Sequence, residues 1–339
     1  MSRKVRIADV AACAGVSAAT VDRVLNQRGG VSPAVESRVL ACARELQMDR
    51  DLRRRPTRIV RVGVIMQRPE NPFYRSLEHA FARAADGYRS RNVQIQVAYF
   101  GIEDAPVRVA ALLDRAASRC QALIIVVHDD PVLRPVVSRI AAERPVVTLA
   151  SDLPRCGRLA YVGIDNMIAG RVAGDLMGRF LGASGGSVIA LTGLQRFVGQ
   201  EERETGFRAV LRERYPACRL LSVLETREDA ARAAELVRSA LEHEPGLGGI
   251  YNMSNGDEAI SRVLCEHSRG RHRVFITHEL TPERRRLLRA GVLDAIIDQS
   301  PQREVDVALT RIMHALDNTL TVHVEPSIPV QIVLRENCA

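Results

Sequence analysis

Apolar residues recur with two different periods along the chain, and the change between the two lies near residue 59. In the first part, apolar positions three or four residues apart, such as Ile7, Val10, Ala11 and Ala14, follow helical spacing. Beyond residue 59, short apolar runs alternate with stretches of helical spacing. The first pattern predicts a small helical unit, and the second predicts strands alternating with helices.

Three short helices are predicted in the N-terminal part. Gly15 suits a tight turn after the first helix because it has no Cβ, and the Ser17 hydroxyl can cap the second helix. The sequence NQRGG at 26–30 ends that helix, and Ser32 with Pro33 suits the start of a third. One face of the third helix carries Val35, Val39, Cys42, Ala43 and Leu46. A helix, a short turn with glycine and a second helix are typical of helix-turn-helix DNA-binding proteins.

The rest of the chain is predicted to be an α/β protein with parallel sheets covered on both faces. The predicted strands are 59–66, 93–100, 122–127, 145–150, 159–164, 187–193, 219–225, 248–253, 273–278 and 293–298. Predicted helices between them include 73–91, 104–119, 131–143, 166–181, 199–214, 226–243 and 255–268. Such sheets bind ligands at the carboxyl ends of their strands.

The number of strands favours two lobes over a single sheet. We expect a helix-turn-helix headpiece and hinge at 1–58 and a two-lobed α/β domain at 59–339. Lobe 1 is expected at about 59–163 and 300–322, and lobe 2 at about 164–299 and 323–336, with the break near Gly163–Asp165. The segment 319–334 is predicted to be extended chain that returns across the lobes.

Composition excludes several classes of protein. Hydrophobic residues make up 46% of 339, enough for a large core, but the longest purely apolar run, 122–127, is far shorter than a membrane span. The N-terminus has no apolar secretory segment. The seven cysteines show no CxxC spacing, so neither a disulfide framework nor a zinc site is expected. We therefore expect a cytoplasmic protein without membrane contact, metal or cofactor.

Positive charge is concentrated in the N-terminal part. Residues 1–58 contain twelve Lys or Arg and six Asp or Glu, a net charge of +6 out of +8 for the chain. This distribution suggests a polyanionic partner. A solvated basic tail is the alternative, but a disordered tail would lack the phased apolar positions.

The second helix is the candidate for reading DNA. Ala18 and Ala19 offer methyl groups to thymine, Ser17 and Thr20 can donate to phosphates, and Arg23 can reach guanine or a phosphate. The alanines could equally be present because they favour helix. The residues expected to face DNA in this region are Ser17, Ala18, Ala19, Thr20, Arg23 and Asn26.

The sequence VRIADVAACAGVSAATVDRVLNQRGGVSPAVESRVLACARELQ resembles the headpiece of the LacI/GalR (lactose-repressor) family of bacterial regulators. The resemblance implies that positions 18, 19 and 23 read bases. Asp22 departs from the serine that is usual in the family. In the following segment, MDRDLRRRPTRI, Leu52 is the candidate for a minor-groove wedge, and Arg53, Arg54 and Arg55 could contact phosphates or the minor groove instead.

The order of elements from about 59 to 336 resembles the type I periplasmic sugar-binding proteins, whose fold the effector domain of lactose-type repressors shares. The stretch NPFY is similar to a segment of ribose-type binding proteins in which aromatic rings stack on the sugar. The resemblance implies that Phe73 and Tyr74 stack on a ligand and that Asn71 bonds one of its hydroxyls. Ordinary packing of helix on sheet is the alternative for the two rings.

The same resemblance places further ligand contacts just past other strands. Ser151 and Asp152 follow the fourth strand, where the register is uncertain, and Arg203 lies in an R-x-x-G-F pattern. An Arg fork donates in a plane to vicinal hydroxyls or to a carboxylate. The remaining candidates are Asn252, with Asn255 as the alternative, Glu279 and Gln299. A neutral sugar or cyclitol is favoured, and a sugar acid is the alternative if Arg203 is unpaired.

Three other motifs carry no function. GASGGS at 182–187 lacks the Gly-Lys-Ser/Thr ending of a phosphate loop, the eight histidines are dispersed, and no GxSxG occurs.

The sequence thus predicts a transcription regulator, most simply a repressor, whose operator affinity depends on a sugar or polyol bound between the lobes. The expected partners are double-stranded operator DNA, the small effector and a second copy of the chain in a homodimer, with a tetramer left open. No catalytic residue is assigned. A sugar-processing enzyme would need a base or nucleophile pair beyond Glu279 and His278. A sugar transport protein would need secretion.

Overall fold

The computed structural model describes residues 5–26, 29–46, 59–89, 92–194, 197–267, 270–317 and 328–338. The chain divides into two compact units, residues 1–57 and 58–339.

The described part of the first unit, residues 5–26 and 29–46, contains three helices around a small apolar core. The helices are α1 (Ile7–Ala14), α2 (Ala18–Leu25) and α3 (Pro33–Glu45). Val10, Val21 and Val39, one from each helix, are fully buried. The left-handed backbone of Gly15 (φ 63°) makes the turn between α1 and α2, and Ser17 caps α2. The predicted arrangement of the first two helices is confirmed, because Gly15 makes the turn and Ser17 caps the second helix as the sequence predicts.

Lobe 1 of the second unit is a five-stranded parallel sheet in the order β2-β1-β3-β4-β5. Its strands are β1 (Val60–Gln67), β2 (Val93–Phe100), β3 (Ala122–Ile125), β4 (Val146–Leu149) and β5 (Ala160–Val162). The helices α4 (Pro72–Arg89), α5 (Pro106–Arg119) and α6 (Leu133–Glu143) connect them. The central strands β3 and β4 are buried throughout, as expected of strands covered on both faces.

Lobe 2 contains five parallel strands and one antiparallel edge strand, in the order β11-β10-β9-β8-β6-β7. Its strands are β6 (Gly186–Thr192), β7 (Cys218–Glu225), β8 (Leu247–Asn252), β9 (Val274–His278), β10 (Ala295–Asp298) and β11 (Gln331–Val333). Its helices are α7 (Asn166–Leu181), α8 (Val198–Arg214), α9 (Ala230–His243), α10 (Asp257–Glu266) and α11 (Pro282–Arg289).

The chain passes between the lobes twice, first between β5 and α7 and again between β10 and α12 (Pro301–Asp317). Helix α12 packs against α4 of lobe 1. A parallel bridge between Ile164 and Ile328 pairs the first passage with the returning chain. The predicted fold class, a helix-turn-helix unit followed by a two-lobed α/β domain, is confirmed.

Helices α7 and α8 pack unusually closely because glycines lie between them. A Cβ on Gly170 would come within 2.0 Å of the Arg203 carbonyl oxygen, and one on Gly206 within 2.2 Å of the Met167 carbonyl oxygen. Real Cβ atoms do not approach carbonyl oxygens so closely, so these positions need glycine. The close packing fixes α8, and Arg203 with it, against the start of α7.

Candidate functional site

The outward face of α2 carries small and polar side chains. Ala18, Ala19 and Arg23 are exposed, whereas Val21 and Val24 are buried. Methyl groups near the start of the helix leave room for the close approach of a large partner, and the exposed guanidinium adds a donor fork. The face thus has the shape that groove binding requires, and its contacts with bases stay a prediction.

The hydroxyl groups of Ser17 and Thr20 are paired at the start of α2. Ser17 Oγ accepts the Thr20 N–H at 3.1 Å, and the two hydroxyl oxygens are 2.8 Å apart. One of the two hydroxyl hydrogens is therefore used within the pair, and the other remains to donate to a phosphate oxygen.

Asn26 is held by Asp22, one turn earlier on the same helix. Its Nδ2 donates to Asp22 Oδ1 at 2.6 Å, so the two side chains present their polar atoms together. The other predicted DNA contacts, Leu52, Arg53, Arg54 and Arg55, lie outside the described residues and stay predictions.

In the second unit, a cavity of about 60 Å³ lies between the two lobes at the carboxyl ends of the strands. It brings together seven of the nine predicted effector contacts: Asn71, Phe73, Tyr74, Ser151, Arg203, Glu279 and Gln299. Their convergence follows from the parallel sheets, which present all their strand ends on one edge. That these residues bind a ligand stays a prediction.

Arg203 is the buried cation of the cavity wall. Its Nε donates to Asn166 Oδ1 at 2.8 Å and its Nη2 to Gln299 Oε1 at 3.2 Å, while Nη1 lies 3.6 Å from Glu279 Oε1. Asn166 follows the first passage between the lobes, and Gln299 precedes the second. A ligand bonded to Arg203 would therefore be connected to both segments that must bend if the lobes move.

Glu279 lies just past β9 and is bonded on both oxygens. Oε2 accepts from Arg284 Nη1 at 2.7 Å, and Oε1 accepts from Gln299 Nε2 at 2.8 Å. Arg284 also donates from Nε to Asp257 Oδ2 at 2.6 Å. Burial alone would lower the pKa of Arg284, but the carboxylates of Asp257 and Glu279 outweigh it and raise that pKa. The charges of Arg284, Glu279 and Asp257 thus form one buried network.

Glu228 is a second carboxylate on the wall, and neutral groups hold it. Oε2 accepts from Asn71 Nδ2 at 2.6 Å and from Ser254 Oγ at 3.3 Å, and Oε1 accepts from Gln200 Nε2 at 3.3 Å. The Asn71 contact joins the lobes, because Asn71 precedes α4 of lobe 1. Burial raises the pKa of Glu228 to about 6, although these hydrogen bonds partly oppose the rise.

The lobe 1 side of the cavity is aromatic and uncharged. The rings of Phe73 and Tyr74 meet edge to face with centroids 5.4 Å apart. Burial raises the pKa of Tyr74, as do Glu228 and Glu279, so its phenol stays neutral. Ser151 is buried, and its Oγ has no hydrogen-bond partner in the described part of the chain. This hydroxyl is available to a ligand because an unpaired buried polar group is costly.

Backbone strain is concentrated around the cavity. Among the described non-glycine residues, seven have positive φ. Three of them, Ala150, Glu228 and Glu279, line the cavity, and two more, Arg227 and Ser300, are chain neighbours of the lining residues Glu228 and Gln299. Left-handed backbone costs roughly 1–2 kcal/mol per residue for an L-amino acid. Such strain tends to persist where it positions functional side chains.

Two predicted contacts, Asp152 and Asn252, do not line the cavity. Asp152 Oδ1 accepts from Thr148 Oγ1 at 2.8 Å, and its Oδ2 pairs with Arg158 Nη2 at 2.5 Å. Asn252 is fully buried, donates to Asp257 Oδ1 at 3.0 Å and accepts the Ser254 N–H at 3.0 Å. Both side chains thus satisfy polar groups within their own lobes. The alternative, Asn255, lines a separate surface pocket that also includes Asn71 and Glu228.

Sequence reasoning missed Gln200, Glu228 and Ser254, which contribute polar atoms to the cavity. Each lies within a few residues of a predicted strand end or of Arg203. The predicted strand 219–225 could have pointed to Glu228 had the residues after it been considered.

His278, the neighbour of Glu279, is not among the residues that line the cavity. It is fully buried, and its Nε2 lies 2.6 Å from the Tyr251 hydroxyl oxygen. Burial, together with the charges of Arg203 and Arg284, lowers the pKa of His278 well below its usual value. His278 and Glu279 therefore do not form an acid–base pair facing a common ligand.

Among the described residues, no helix is long and apolar enough to cross a membrane. No group of three or more His, Cys, Asp or Glu side chains in that part of the chain could hold a metal ion.

Two family descriptions match the chain. The family "Periplasmic binding protein domain" matches residues 62–319, and "Bacterial regulatory proteins, lacI family" matches residues 6–49. The ribose import binding protein RbsB of Salmonella typhimurium is 23% identical over 71% of this chain and 80% of its own length. The maltose regulon regulatory protein MalI of Escherichia coli is 28% identical over 74% of this chain and 72% of its own.

Solved structures share the fold of the second unit. The glucose-galactose binding protein GanP from Geobacillus stearothermophilus superposes with a TM-score of 0.74 at 22% identity, covering 83% of this chain and 99% of that protein.

Proposed function

The chain belongs to the periplasmic binding protein domain family and carries a lacI-family regulatory domain at its N-terminus, and we propose that a sugar or polyol bound between its lobes controls its affinity for operator DNA. It is a DNA-binding transcription regulator, and in the simplest form of the proposal it is a repressor. No catalytic step is assigned to it.

The observation that carries the proposal is the presence of both parts on one chain. The α2 face is exposed and slim in the first unit, and the second unit has a cavity lined by Arg203, Glu279 and aromatic rings. RbsB is named for ribose, GanP for glucose and galactose, and MalI for the maltose regulon. These names support a sugar or polyol as the effector class.

The contacts of Arg203 suggest how ligand and DNA affinities are coupled. Arg203 is bonded to residues beside both passages between the lobes, so a ligand that engages it favours one lobe arrangement over others. A ligand shifts such an equilibrium only by its differential affinity for the two arrangements, and the coupling is reciprocal.

The proposal includes a homodimer, or a tetramer built from dimers, acting in the cytoplasm on chromosomal DNA. Two headpieces would each read half of a near-palindromic operator. Much of the affinity would be electrostatic and would fall steeply with salt.

The DNA part of the proposal is tested by Arg23→Ala. Loss of one base or phosphate contact is expected to weaken binding to an operator selected from random duplexes by about 5- to 150-fold. Sugar binding should be unchanged, because Arg23 belongs to the other unit. Gel-shift titration measures the first quantity and calorimetry the second.

The matched control is Arg208→Ala, which removes one exposed positive charge from α8 of the second unit. It should leave operator affinity unchanged. Equal operator affinity of wild type and Arg23→Ala would contradict the assignment of α2. The effector is sought by thermal stabilisation with pentoses, hexoses and inositols.

A further inference from the structure

The charges of the described residues on the cavity wall do not balance. Arg203 and Arg284 are matched by Glu279 and Asp257, with which they form buried ion pairs. Glu228 is left over, and no described residue forms an ion pair with it. Glu304, whose pKa is raised mainly by burial and is also influenced by Arg203, Asp298 and Glu279, is a further buried carboxyl group behind the wall and supplies no positive charge. Among the described residues that line the cavity, Glu228 and Glu279 face one cation, Arg203, so this part of the wall holds one more carboxyl group than cations.

The position of Glu228 is built into the fold. A Cβ on Gly193 would lie only 1.6 Å from Glu228 Oε1, so this glycine leaves the space that the carboxyl group occupies. Arg227 and Glu228 both adopt left-handed backbone (φ 56° and 60°), and Thr226 Oγ1 accepts the Glu228 N–H at 3.2 Å. Three neutral donors then fix the side chain. A surface carboxylate turned inward by chance would have none of these supports.

Aromatic rings line the same cavity. Phe73 and Tyr74 come from lobe 1, and Phe197 comes from the segment before α8. Aromatic faces attract cations, with Trp, Tyr and Phe all able to take part. The electrostatic field at Tyr74 also favours a cation. Burial is the largest cause of the raised pKa of its hydroxyl, and Glu228 and Glu279 then raise that pKa more than Arg203 lowers it.

The geometry points to an effector that carries a basic amine, whose ammonium group binds to Glu228 within the aromatic part of the cavity: an aminated sugar or aminated cyclitol. This inference rests on the proposed function, because it names the chemical class of the ligand for the same site. The hydroxyls of such a ligand would bond Arg203, Glu279 and Ser151.

An ammonium suits Glu228 better than a hydroxyl does. A neutral ligand that displaces water buries the carboxyl group further and disfavours its ionised form, whereas an ammonium stabilises that form. A sugar acid is disfavoured, because its carboxylate would enter a cavity with excess negative charge. Glu228 therefore acts as a specificity-determining residue.

The test compares three amine probes with their hydroxyl parents by calorimetry near pH 7. The pairs are D-glucosamine with D-glucose, D-galactosamine with D-galactose, and scyllo-inosamine with scyllo-inositol. The intact wild-type protein is expected to bind at least one amine about tenfold or more tightly than its parent. Glu228→Gln should lose that preference while its affinity for the parent changes less than about threefold.

The matched control is Glu201→Gln, which removes one exposed carboxylate from the same lobe and should retain the preference. A second readout is pH. Between about pH 5 and about pH 7 the affinity of the wild type for the amine should rise as Glu228 ionises, because its pKa is about 6. The profile of Glu228→Gln should be flat. A purely structural role for Glu228 would produce no such difference.

Three outcomes overturn the inference. If hydroxyl parents bind the wild type as tightly as the amines, the amine class is wrong and the proposed function stands. If Glu228→Gln keeps the preference, Glu228 does not determine it. If neither these probes nor the pentoses, hexoses and inositols bind, the sugar-sensing part of the proposed function fails as well.

Discussion

The two walls of the cavity differ in chemistry. Among the described lining residues, lobe 1 contributes the Phe73 and Tyr74 rings, alkyl groups, the Asn71 amide and the Ser151 hydroxyl. Lobe 2 contributes Phe197 and Met253 and, in this part of the chain, every charged side chain: Arg203, Glu228 and Glu279. Charged groups in fixed hydrogen-bonded positions orient a ligand. Apolar faces increase its affinity through contact area and depend little on its orientation. We infer that lobe 2 selects the ligand and that lobe 1 covers it.

The largest effect is expected from the charged wall. Arg203→Ala removes a buried guanidinium, so Asn166 Oδ1 and Gln299 Oε1 lose the donor that they accept from. Effector affinity should fall by about 100-fold or more, in line with the truncation of other buried charge partners. Calorimetry measures the loss, and Arg208→Ala on the exposed side of α8 is the control. Retention of wild-type affinity by Arg203→Ala would show that lobe 2 does not select the ligand.

A smaller effect is expected from the uncharged wall. Phe73→Ala removes apolar and aromatic contact and should weaken binding by about tenfold, corresponding to about 1.4 kcal/mol. The loss should be larger for an amine than for its hydroxyl parent, because the Phe73 ring makes apolar contact with both but attracts only the ammonium group. A loss confined to the hydroxyl parent, or one as large as that of Arg203→Ala, would contradict the contrast between the walls.

The sequence was sufficient to predict most of the fold. Buried parallel strands are short apolar runs, and all ten predicted strands are present. Two helices, α11 and α12, lie outside the predicted segments, and the reason differs between them. The sequence of α11, PERRRLLR, has a short apolar stripe, although Thr281 and Pro282 signal its start. The sequence of α12 does contain a regular stripe, in Val305, Leu309 and Ile312, that went unassigned.

The candidate site was less predictable because single backbone angles decide which side chain faces the cavity. After β4, the left-handed backbone of Ala150 (φ 59°) precedes Ser151 on the wall, while Asp152 bonds back to Thr148. After β7, two left-handed residues bring Glu228 inward. Strand ends can be located from apolar runs, but these angles depend on tertiary contacts such as the space left at Gly193.

The central claim is that one small ligand and DNA influence each other through this chain. The most direct measurement is the operator affinity of the intact protein, by gel shift at fixed salt, without effector and with the effector at saturation. We predict a change of about 5- to 150-fold, the usual range of allosteric coupling. Identical operator affinity with the cavity shown by calorimetry to be filled would contradict the claim.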